Sequence, residues 1–280
     1  MSQAPVSVAE RAGEFRIPRN AFQQAPGSIH NDAVASKLGF KGGTVPGSVH
    51  MDQFVPMLLD LYGPRWFETG DISLYFTQAT VDAEPVRAVV APGEGRARLT
   101  MYNEPGALIC RGTASGQAPD SLSELSQVLQ QQAAVDPSKL RILGAYKVGD
   151  EIAGIPIRLE IDKLQEGLQR ITEPHPLYAD ENVLPPSHVV SLSHQVRPRT
   201  LEKVGKSVGL FGALEVRHYR GPLHAGVDYV ARTKMLKFSE SPKAEAVWYD
   251  VVISDPKTGL DLACVQYFLR FMKASSALYE

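Results

Sequence analysis

The most constraining feature of this chain is an internal repetition. A proline-opened apolar helix followed by a run of β-type segments occurs twice. The first helix is TVPGSVHMDQFVPMLLDLYG at 44–63, and the second is VLPPSHVVSLSHQV at 183–196. Each leads into a long alternating stretch, DISLYFTQATVDAEPVRAVV at 71–90 and the stretch 212–236. Two further strands follow in each half: RARLTMYN and ALICRGTASG, then AEAVWYDVVI and DLACVQYFLRFM. Their reversals, NEPG at 103–106 and SDPKTG at 254–259, carry Pro then Gly, the residues that tight turns require.

The helix at 44–63 has almost no polar side. Val49, Phe54, Val55, Met57, Leu58, Leu59 and Leu61 cover most of its circumference, and a helix apolar nearly all round has to be enclosed. An antiparallel sheet wrapped around that helix buries both elements. Two such units side by side form one continuous sheet and hide two exposed edges. The expected fold is therefore α+β, with an N-terminal unit over 1–116, a connection over 117–139 and a C-terminal unit over 140–280. The connection, QAPDSLSELSQVLQQQAAVDPSK, is Gln- and Ser-rich and lacks aromatics. It is expected to hold a helix over 121–134, capped by Asp120 or Ser121, with Glu124 as capping-box partner and Pro137 as the stop.

Composition narrows the function. Hydrophobic residues are 44% and charged residues 21%, which is globular. A formal charge of -2 gives no electrostatic reason to expect nucleic acid or an anionic membrane surface. No apolar window approaches the roughly 18 residues of a membrane span, and the first residues lack a signal-peptide pattern, so a cytoplasmic location is expected. Two cysteines, Cys110 and Cys264, sit in apolar runs and read as buried thiols. Seven histidines without HxH or CxxC spacing argue against a metal site. GxSxG, a complete Walker motif and GxGxxG are absent, so no serine hydrolase elbow, nucleotide site or cofactor is expected.

The stretch IHNDAVASKLGFKGGTVPGSVHMDQF at 29–54 carries a resemblance. With His30, Asp32, Ala35, the Gly39–Phe40 pair and Gly47 at the helix opening, it resembles the MaoC-like, (R)-specific enoyl-CoA hydratase branch of the hotdog superfamily. The strand region 72–86 and AYKVGDEI at 145–152 are similar to that family's strand entries. The resemblance covers both halves and implies a double hotdog. It implies hydratase or dehydratase chemistry on an acyl-CoA or acyl-carrier thioester, with a homodimer as the expected assembly. The family's dyad reads Asp-x-Asn-Pro-x-His. On this chain His30 takes the histidine position, whereas Ala25 stands in the aspartate position, with Gly27 and Ser28 for Asn and Pro.

Five residues are therefore candidates. His30 is a general base or a turn cap. Asp32 is an acid partner or an N-terminal helix charge. Gly47 and Ser48 offer free amides or a hydroxyl at a helix start to a thioester oxygen, or else serve packing and capping. His50 lies one turn in, on the 47–50–54 stripe, and is a substitute acid/base or a satisfied core histidine. His188 and His194 lie six apart and are not expected to share a face, and His175 corresponds roughly to His30, so the second half is expected to be mainly structural. Beside the hydratase reading stand two others: a hotdog thioesterase using the same helix end, and a non-catalytic acyl-binding module.

Overall fold

A computed structural model gives the structure of residues 9–117 and 120–280. Its strands are β1 (Arg11–Ala12), β2 (Asp71–Phe76), β3 (Val86–Ala91), β4 (Ala97–Asn103), β5 (Leu108–Ser115), β6 (Glu151–Ile157), β7 (Gly209–His218), β8 (Tyr229–Glu240), β9 (Ala244–Ser254) and β10 (Asp261–Met272). They form one ten-stranded sheet in the order β1-β3-β4-β5-β2-β7-β10-β9-β8-β6, antiparallel throughout. The order mirrors itself about the β2–β7 seam, where Ile72 faces Val216 and Leu74 faces Leu214. The repetition in the sequence is thus a repetition in space.

The helices are α1 (Asp32–Lys37), α2 (Gly47–Asp52), α3 (Val55–Tyr62), α4 (Trp66–Thr69), α5 (Glu124–Gln131), α6 (Ile161–Leu168), α7 (Pro176–Asp180), α8 (Pro186–His194) and α9 (Arg197–Thr200). The first apolar helix differs from expectation. It breaks at Gln53–Phe54 into α2 and α3, because Pro56 near the start of α3 has no N–H to continue the ladder. The stretch 71–90 is also two strands, β2 and β3, which are not sheet neighbours. Ala83, at φ 60°, and Pro85 force the chain to turn between them. The stretch 212–236 divides the same way into β7 and β8.

Met51, Phe54 and Leu58 from the first half and Val189, Val190 and Leu192 from the second share one core with the inner sheet face. Helix α2 packs against α8, and the Ser187 amide at the start of α8 donates to Asp52 Oδ1 at 2.9 Å. On the outer face, Leu125 of α5 packs with Ala213, Trp248 and Phe268 across the seam. The cap of α5 is Ser123, not Asp120 or Ser121. Its hydroxyl accepts from Ser126 N at 3.2 Å and donates to buried Glu215 of β7 at 2.9 Å, a tertiary acceptor that the local pattern does not reveal. The helix ends at Gln131, and Pro137 opens a separate 3-10 turn. Cys110 and Cys264 are free and buried. Among the described residues no helix is long and apolar enough to cross a membrane.

Candidate active site

A cleft of about 1250 Å³ opens between the halves. From the first half it is lined by His30, by Thr44–His50, and by Phe76–Thr80 where the chain leaves β2. From the second it is lined by α8, by Arg197, and by the start of β7 at Gly209–Phe211.

His30 stands half-buried just before α1. Its Nδ1 lies 2.6 Å from the Thr44 carbonyl oxygen. A carbonyl can only accept, so Nδ1 carries the proton and Nε2 keeps its lone pair. Burial lowers the imidazole pKa against the opposing pull of that hydrogen bond, and the Arg197 charge lowers it further. The ring is therefore neutral at pH 7. Ala25, five residues before His30 in the sequence, lines the same cleft.

Asp32 does not line the cleft. It sits in the first turn of α1, and its Oδ1 accepts from Gly43 N at 2.7 Å. It thereby pins the loop that carries Thr44, one residue before the carbonyl that orients His30.

Gly47 and Ser48 are at the start of α2 and line the cleft. Their amides have no hydrogen-bond partner among the described residues. The Phe76 ring packs on Gly47: a Cβ there would lie 2.6 Å from a ring carbon, so a larger residue would have to displace the ring. His50 is 2% exposed. Its Nε2 is 2.9 Å from Thr80 Oγ1, and its Nδ1 is buried without a partner. Burial drives its pKa down to about 4. Both nitrogens are thus withdrawn from the open cleft.

The second half contributes more than the sequence suggests. His188 and His194 both line the cleft despite their spacing, because α8 runs along it and ends at His194. Ser187 Oγ lies 3.0 Å from His188 Nδ1. His194 stacks on Tyr267, and Arg197 Nη1 donates to His194 Nε2 at 3.4 Å. Burial drives both histidines down to about 4, with Arg170 adding to the effect at His188 and Arg197 at His194. The one linear hint of this group is the three-residue step from His194 to Arg197, which is common in any helical run. His175 caps α7, its Nδ1 accepting from Leu177 N at 3.3 Å. His218 is buried against Trp66, and His224 meets the Glu181 carbonyl at 2.9 Å. Among the described residues no cluster of three metal-ligating side chains occurs.

No family model and no curated protein matches the sequence. Solved structures do match in fold. A Chloroflexus aurantiacus protein assigned a MaoC dehydratase domain is 12% identical, with 94% of this chain and 95% of that one covered and a TM-score of 0.60. A Mycobacterium tuberculosis protein with a double hotdog fold, essential for bacterial survival during infection, is 10% identical, with 94% and 96% covered and a TM-score of 0.59. A MaoC-like dehydratase is 14% identical, with 94% and 97% covered and a TM-score of 0.54.

Proposed function

We propose that this double hotdog protein is a hydratase or dehydratase acting on an acyl thioester, with His30 as its acid/base. The observation that carries the reading is the 2.6 Å contact from His30 Nδ1 to the Thr44 carbonyl, which leaves Nε2 as a neutral base on the cleft wall. The missing carboxylate, replaced by Ala25, leaves one residue to handle both proton transfers.

In the dehydration direction, His30 Nε2 takes the C2 proton of a 3-hydroxyacyl thioester. The C–H electron pair moves onto the thioester oxygen, which the Gly47 and Ser48 amides receive as two donors at a helix start. The enolate then expels the C3 hydroxyl. The new imidazolium returns its proton to that oxygen, so water leaves and His30 is neutral again. Hydration is the reverse. Thr44 holds the ring in the productive tautomer throughout, and Asp32 holds the loop that carries Thr44. His50 serves the cleft wall through Thr80. Lys243 and Arg270 also line the cleft without a carboxylate partner among the described residues, and we assign them to the phosphates of a carrier.

The test is an assay of purified protein with crotonyl-CoA and longer 2-enoyl-CoAs, following enoyl absorbance and free thiol together. Enoyl loss without thiol is expected. Its acid limb should lie below the ordinary imidazole value of 6.5, because burial favours the neutral base. Thiol release would replace this reading with thioester hydrolysis. Silence from folded protein in both channels would remove the acyl-CoA reading.

A further inference from the structure

The charges that line the cleft are unbalanced, and the imbalance has an address. Six lysine and arginine side chains line it against two glutamates. Arg19 is matched by Asp82 at 3.2 Å, and Glu166 serves both Lys163 and Arg170. Glu240 is held by Lys273. Arg197, Lys243 and Arg270 remain without a carboxylate partner among the described residues. Lys243 is exposed on the β8–β9 turn, where water solvates it. Arg270 lies over the Tyr75 and Phe268 rings and donates to Tyr75 Oη at 2.6 Å.

Arg197 differs from both. Its side chain is half-buried and set between two fixed neighbours. Nη1 donates to His194 Nε2, and Nη2 is 3.1 Å from where a Cβ on Gly209 would stand, so the guanidinium lies close along the backbone of β7. His194 is itself held by Tyr267 and Phe211. The neutral His194 ring aligns the guanidinium without neutralising it. Ile29, next to His30, packs with Val208 and Leu210 on either side of Gly209, and His30 and Arg197 both line the cleft, so the cation stands on the side of the cleft that holds the base.

A neutral acyl chain filling this corner would strip water from an unpaired guanidinium and return nothing. Such desolvation is costly unless an anion replaces the water. A planar guanidinium fork matches the two oxygens of a carboxylate better than the single oxygen of an enolate, and the enolate already has the amides of α2.

We propose that Arg197, aligned by His194, is a subsite for a carboxylate carried by the acyl group itself. The preferred substrates are then thioesters of dicarboxylic acids, not plain acyl chains. This rests on the thioester reading above, and the experiment separates the two. Calorimetric titration would compare succinyl-CoA with butyryl-CoA, which differ only in a terminal carboxylate against a methyl, and would include free glutarate. Succinyl-CoA is expected to bind the wild-type protein at least about tenfold tighter. Arg197→Met should erase that preference and Arg197→Lys should keep part of it. Equal affinity for the two thioesters in the wild type overturns the inference, whatever the variants do. A preference that survives Arg197→Met overturns it as well. Glutarate binding that depends on Arg197, without binding of either thioester, would keep the subsite and remove the thioester reading. No binding of any of the three would overturn the inference.

Discussion

His30 and His175 occupy corresponding places in the two halves, each just before a short helix, and their rings are used in opposite ways. His30 donates through Nδ1 to the Thr44 carbonyl, keeps the lone pair on Nε2 and lines the cleft. His175 accepts at Nδ1 from Leu177 N and caps α7. The central helices diverge in the same manner. Helix α2 opens with Gly47, and its first amides are unpartnered among the described residues. Helix α8 opens with Pro186, which has no amide hydrogen, and its next amide is taken by Asp52. Tyr178 is buried and packed edge-on to Phe67. One topology thus builds an open corner and a filled one, and the difference lies in a few side chains at the helix starts.

The largest expected effect breaks this comparison at the open corner. His30→Ala should lower kcat/KM for the enoyl thioester by about 10²–10⁴, the range for a positioned acid/base, while circular dichroism shows an unchanged fold. A loss of less than about threefold would remove His30 from the chemistry.

The filled corner is next. Tyr178→Ala should cost about 3–5 kcal/mol in denaturant unfolding, as for other large buried aromatics, and should leave the cleft chemistry in place. A cost below about 1 kcal/mol would mean that the second corner is not closed by packing.

Asp52 sharpens the comparison through pH. It is fully buried, Oδ2 has no partner, and burial raises its pKa to about 7. A folded-state value above the ordinary 3.8 favours the neutral acid in the fold. Its contribution is therefore whole below about pH 4 and is lost as pH rises toward 7. Asp52→Asn keeps an acceptor for the Ser187 amide and removes the titration. It should match the wild type near pH 4 and exceed it at pH 8 by a few kcal/mol, at about 1.4 kcal/mol per pKa unit. A wild-type advantage at pH 8 would show that the charged form is solvated in the fold.

The smallest effect belongs to His175→Ala. Loss of one helix cap should cost about 1 kcal/mol in thermal or denaturant stability and change kcat/KM by less than about twofold. A catalytic loss comparable to that of His30→Ala would make the two corners equivalent.

Much of the fold was legible because apolar periodicity and turn residues are local signals. The all-round apolar run at 44–63 required enclosure, and the paired reversals announced the antiparallel order of β4–β5 and β9–β10. The expected single helix failed at Pro56, where a missing amide breaks the ladder. The expected single strands failed at Ala83–Pro85 and in the second half, where the alternation runs on through a turn. Ser123 replaced the expected caps because its hydroxyl meets Glu215 on a strand far along the chain.

The sequence by itself determined the repetition, the enclosed helices, a glycine after proline at the first helix start, and a histidine before α1 with alanine five residues earlier. These follow from side-chain volume, backbone constraint and short-range spacing. Only the tertiary structure decided which histidine keeps an unbonded ring nitrogen at the cleft and what else lines it. Thr44 orients His30 from across a loop, Thr80 withdraws His50, and His194 and Arg197 arrive from the other half through the β2–β7 seam. Hydrogen-bond direction, burial and unpaired charge are properties of groups brought together in space, and no linear spacing records them.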